Sequence, residues 1–138
     1  MRRLCAAALL VALSGCPQVQ NPDRRAREAL AAAAAEALQL PVDGARLEVP
    51  AGRLRATSVT TTPLGEGRWR AFARVSLEGR IDGTAVSYVG DERFVVACAA
   101  RCALEGPPAP RLLELLQVLR ERRAALAAGD RDRLRAIV

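Results

Sequence analysis

The sequence predicts an α+β fold: an N-terminal helix, a four-stranded antiparallel meander sheet with a long hairpin, and C-terminal helices packed on one face of that sheet. Three patterns predict it. Between Asn21 and Pro41 the apolar residues Leu30, Ala33, Ala34, Ala37 and Leu38 recur at helical spacing. From Trp69 to Ile81 the period becomes two, with Trp69, Ala71, Ala73, Val75, Leu77, Gly79 and Ile81 alternating against Arg70, Phe72, Arg74, Ser76, Glu78 and Arg80. Beyond Pro107, Pro108 and Pro110 the helical period returns in Leu112, Leu115, Leu116, Leu119 and Leu126, widened by Leu113 and Val118.

The first helix takes Asn21 or Asp23 as its cap, and its pattern runs to about Leu40 before Pro41. Leu47 and Val49 alternate with Arg46 and Glu48 in a short strand, Pro50-Ala51-Gly52 turns the chain, and Arg53 to Thr62 forms a second, threonine-rich strand. The strand from Trp69 to Ile81 ends at Asp82-Gly83, the dipeptide that favours a two-residue type I′ hairpin. That turn sets Ile81 opposite Thr84. Val86, Tyr88, Gly90, Phe94 and Val96 then join the apolar face, while on the wet face Arg74 opposes Asp91 and Phe72 opposes Arg93. A helix from about Arg111 carries the leucine stripe, expected to pack on the sheet; Ala128-Gly129 breaks it, and Asp130 caps a short final helix.

Glu92 breaks the pattern. In this register it falls on the apolar face opposite Ala73, where a buried carboxylate requires a partner. Either a β-bulge at Gly90 rotates Glu92 back to solvent, or Glu92 belongs to a polar site in a pocket lined by Trp69, Tyr88 and Phe94.

Composition narrows the chemistry. Every one of the 21 basic residues is arginine, histidine is absent, and the formal net charge is +6. Without histidine no Ser-His-Asp or Cys-His nucleophile can be built, and without lysine there is no Schiff base. No spacing singles out a pair of carboxylates for acid–base work, so an enzyme is not expected, and neither a cofactor nor a metal is indicated. The arginines suit anionic lipid or acidic envelope polymers, to which basic side chains are attracted within a Debye length of about 8 Å. Nucleic acid is not an expected partner.

The expectation of export rests on the N-terminus. Arg2 and Arg3 precede an apolar run from Leu4 to Leu13, and the run ends in Leu13-Ser14-Gly15-Cys16. This stretch resembles the lipobox of bacterial lipoproteins, and the run is short of the roughly 20 apolar residues that span a bilayer. The resemblance implies that residues 1–15 are a cleaved signal peptide and that Cys16 is lipidated. Residues 16–22 then form a tether of at most about 20 Å, and residues 23–138 a single α+β domain. Pro17 follows Cys16 where an aspartate would signal retention at the inner membrane, which implies the outer membrane, facing the periplasm. Arg24, Arg25 and Arg27 would lie within reach of lipid headgroups. With Cys5 removed and Cys16 acylated, Cys98 and Cys102 are the two cysteines left, and export makes a disulfide their expected state.

The succession of one helix and a curling antiparallel sheet also looks like the cystatin or nuclear-transport-factor-2-like arrangement. The segment from Ala124 to Leu134 is similar to the first helix of many nuclear-transport-factor-2-like domains. That resemblance implies fold alone and carries no functional residue. The expected function is a membrane-anchored, non-enzymatic envelope lipoprotein that acts as an interaction or accessory module, with an unidentified envelope protein or polymer as partner. The alternative is a binder of a small hydrophobic or lipid ligand, held between sheet and helices by Trp69, Tyr88, Glu92 and Phe94.

Overall fold

A computed structural model describes residues 21–137, so the expectations for signal cleavage, Cys16 and most of the tether lie outside the described residues. The elements run α1 (Pro22–Ala34), β1 (Leu38–Val42), β2 (Ala45–Val49), β3 (Leu54–Gly65), β4 (Arg68–Ile81), β5 (Thr84–Cys98), β6 (Cys102–Glu105), α2 (Pro110–Ala128) and α3 (Arg131–Ile137). The fold is α+β, but its antiparallel sheet has six strands where the sequence suggested four. Among the described residues no helix is long and apolar enough to cross a membrane.

The β4–β5 hairpin is the spine. Its register begins at Ile81 opposite Thr84 and continues without interruption to Arg68 opposite Ala97. The Asp82-Gly83 turn has positive φ at both residues (49° and 78°), as a type I′ turn requires. One edge of β4 carries two partners in succession, β3 beside its first ten residues and β2 at Arg80 and Ile81, while β6 extends the far edge of β5 at Val95 to Cys98.

Both missing strands correct the sequence reading. The first helix does not reach Leu40. It ends at Ala34, whose carbonyl accepts from Gly52 N at 2.8 Å, and Leu38 to Val42 pairs with β2. Asp43-Gly44 repeats the turn signal of Asp82-Gly83 and makes the same kind of two-residue hairpin, with φ of 38° and 80°. Pro41 is tolerated because β1 is the outermost strand on that side. On the other side β6 turns back from the end of β5, with Cys98 opposite Cys102.

Both helices pack on one face of the sheet. α1 touches β3, β4 and β6, so the sheet curls around it, and it buries Ala26, Ala29, Leu30 and Ala34. Its N-cap is Asn21, whose side chain accepts from Arg24 N at 3.2 Å; Asp23 instead accepts from the Thr61 hydroxyl at 2.6 Å and pins the helix to β3. α2 packs on β5 and β1. The shared core is fully closed at Leu47, Val75 and Ala71, each 0% exposed.

The leucine stripe of α2 is a second correction. Leu112 and Leu116 are buried and Leu113 is half-buried, but Leu115, Val118, Leu119 and Leu126 remain exposed. The buried contact of α2 is confined to Leu112, Leu116 and Ala125, and the Arg120 guanidinium meets the Asp82 carboxylate at the hairpin tip. Gly129 then ends α2 in the left-handed region, with Asp130 N donating to the Ala125 carbonyl at 2.9 Å. Asp130 caps α3 by accepting from Arg133 N at 2.9 Å.

Cys98 and Cys102 form a disulfide across the β5–β6 hairpin. A loop this short restricts the unfolded chain by about 2 kcal/mol on the chain-entropy account. Replacing both cysteines by serine should therefore lower the unfolding free energy by about 2 kcal/mol in chemical denaturation, and thiol titration of the native protein should find both sulfurs unreactive until reduced.

Candidate functional site

Glu92 is buried, at 1% exposure, the one charged residue in the core of the described chain. The expected bulge at Gly90 is absent: Val75 opposes Gly90 and Ala73 opposes Glu92 in unbroken register. The carboxylate is kept inside because its acceptors are satisfied. Glu92 Oε1 accepts from Arg111 N at 2.9 Å, and Oε2 accepts from Leu112 N at 3.0 Å and from the Tyr88 hydroxyl at 2.8 Å.

This arrangement caps α2 from outside the helix. Ala109, at the N-cap position, has no side chain that could accept from the first-turn N–H groups, and Pro110 removes one donor. The strand supplies the missing acceptor, and its negative charge sits at the positive end of the helix dipole. Gly90 makes the third contact feasible. Tyr88, Gly90 and Glu92 share one face of β5, and the Tyr88 ring lies over the bare glycine; a Cβ there would come within 2.6 Å of Tyr88 Cζ. The Tyr88 hydroxyl is pushed up to about 12 from its ordinary 10, first by burial and then by its bond to Glu92.

Of the four residues expected at a ligand pocket, the structure brings Tyr88 and Glu92 into contact. Phe94 is core at 4% exposure, and Trp69 is half-buried opposite Val96. Glu92 borders a groove of about 350 Å³ on the sheet, and Tyr88 borders a separate one of about 170 Å³. The headgroup candidates also divide: Arg24 and Arg27 are exposed and Arg25 is half-buried, with Arg24 Nε 3.8 Å from the Glu28 carboxylate on the next turn.

The larger groove contains residues that the sequence pattern did not gather. Phe72, Arg74, Asp91 and Arg93 are joined there by Thr60 of β3 and Arg111 of α2. Arg74 Nη1 donates to Asp91 Oδ1 at 3.2 Å, Arg111 Nη1 donates to the Asp91 carbonyl at 3.2 Å, and the Arg93 guanidinium stands 6.0 Å from the centre of the Phe72 ring. The Arg74–Asp91 and Phe72–Arg93 pairs were legible from the hairpin turn. Arg111 was not, because its position follows from Glu92 holding the helix start. No family model, curated protein or solved structure matches the chain.

Two outcomes follow from the Glu92 cap. Glu92→Ala should cost about 2–4 kcal/mol in chemical denaturation, since it leaves the buried Leu112 N–H, the half-buried Arg111 N–H and a tyrosine hydroxyl without an acceptor. Because the folded Tyr88 holds its proton to about pH 12 and an unfolded tyrosine to about 10, the tyrosine-linked contribution to stability should be fully present below pH 10 and fall as pH rises from 10 towards 12. The chain has one tyrosine, so the tyrosinate absorbance reports this titration directly, and Tyr88→Phe should abolish the tyrosine-linked fall.

Proposed function

We propose that the chain is a lipid-anchored envelope lipoprotein whose folded part is a non-enzymatic interaction or accessory module, held on the periplasmic side of the outer membrane. The observation that carries this reading is Leu13-Ser14-Gly15-Cys16 behind a dibasic start and a short apolar run. The Cys98–Cys102 disulfide agrees with it, since such bonds persist in oxidising compartments. α1 is capped at Asn21, five residues after Cys16, a reach of about 17 Å at full extension, so the domain would stay close to the headgroups.

Interaction is favoured over chemistry because the buried carboxylate is consumed in structure: both Glu92 oxygens are occupied by α2 backbone N–H groups and Tyr88. It is favoured over an interior ligand pocket because Phe94 is packed in the core and the grooves open on the surface. Labelling cells with a radioactive fatty acid should mark the wild-type protein and leave Cys16→Ala unmarked. Label retained by the variant would refute the anchor.

A further inference from the structure

We propose that the uncovered face of the β3–β4–β5 sheet binds an anionic glycan, a carboxylated or phosphorylated sugar polymer, in the groove centred on Phe72. The inference names the partner of the interaction module proposed above and rests on that reading for the compartment in which the two would meet.

Both helices pack on the other face, and among the described residues no element covers this one. Its side chains stand in cross-strand rows set by the register: Thr57, Arg74 and Asp91; Thr60, Phe72 and Arg93; Thr62, Arg70 and Val95. Arginines therefore surround one aromatic ring, and threonine hydroxyls run along the edge strand. The register of β3 shifts between Thr57 and Thr60, so Ser58 and Val59 together oppose Ala73. Ser58 takes a left-handed φ of 54° in this bulge. The irregularity lies beside Phe72, where the groove of about 350 Å³ opens.

The chemistry of the lining selects the ligand. Guanidinium groups present planar pairs of donors that match carboxylate and phosphate oxygens. Hydroxyls of Thr60 and Ser58 can both donate and accept, as a hydroxyl-rich ligand needs. Phe72, 37% exposed, offers a ring edge and face against which the C–H side of a sugar can pack. Asp91 holds Arg74 and, through its carbonyl, Arg111 in place, so the donors are ordered before a ligand arrives. A groove lined by arginines on either side of one aromatic ring suits a charged chain better than a plane.

Full-length protein in detergent should bind polygalacturonate in calorimetry and ignore neutral dextran, with affinity that falls as salt is raised. Arg74→Gln and Arg93→Gln should each weaken binding by about fivefold, as exposed charge contacts do. Arg131→Gln on α3, which removes the same charge far from the groove, should leave affinity unchanged, and circular dichroism should show all three variants folded. The proposal is overturned if polygalacturonate fails to bind, if dextran binds equally, or if Arg131→Gln weakens binding as much as Arg74→Gln. Tighter binding of a single-stranded oligonucleotide or of phosphatidylglycerol vesicles would also overturn it, by assigning the arginine face to a different polyanion. Fatty-acid labelling reads Cys16 alone, so loss of the anchor reading and loss of the glycan reading are separate results.

Discussion

A buried carboxylate joins the two halves of this fold. Glu92 sits in the middle of β5, inside the core, and its acceptors are filled by the start of α2 and by Tyr88. A charge in that position is tolerable only when hydrogen bonds replace the water it has lost. The helix start is equally dependent, because Ala109 and Pro110 offer it no cap of their own. Strand and helix thus each solve the other's problem, and the direction in which α2 leaves the sheet is fixed by where Glu92 lies in the hairpin register.

From that junction the rest of the layout follows. α1 occupies the curled half of the sheet bounded by β3 and β6, and α2 runs along the half bounded by β1 towards the hairpin tip, where Arg120 meets Asp82. With two helices on one face, no element among the described residues covers the opposite one. Small residues of β4 stand opposite large ones of β5 inside, Ala71 against Phe94 and Ala73 against Glu92, while outside the same strands present Phe72, Arg74, Asp91 and Arg93. The alternation of a β-strand thereby separates the stabilising layer from the layer available for recognition. Arg111 links them: its backbone N–H serves the Glu92 cap and its side chain borders the outer groove.

Much of the hairpin was readable because its determinants are local. Asp82-Gly83 specifies a turn, a turn specifies a register, and a register places Arg74 by Asp91 and Phe72 by Arg93 without knowledge of any other element. The same dipeptide at Asp43-Gly44 carried the same information for β1 and β2. It was masked by the alanine tract before it, whose helical period continues through Ala37 and Leu38 past the point where the chain leaves the helix. Propensity fixed where a helix could form, and pairing with β2 decided where it stopped. β6 is only four residues long, too short for a period to show, and its existence depends on the edge that β5 offers it.

What the sequence by itself determined, then, is the local layer: the lipobox resemblance of its N-terminus, the absence of histidine and lysine, the hairpin register and the cap at Asp130. Each depends on residues adjacent in the chain or across a two-residue turn. Tertiary structure decided the fate of Glu92, the burial of only part of the α2 leucine stripe, and the groove that assembles Thr60, Phe72, Arg93 and Arg111. The physical reason is satisfaction at a distance. A strand carboxylate on the apolar face can be rescued by a bulge or by a partner, and its partner here lies 19 residues further along the chain, where a helix without its own cap needed an acceptor.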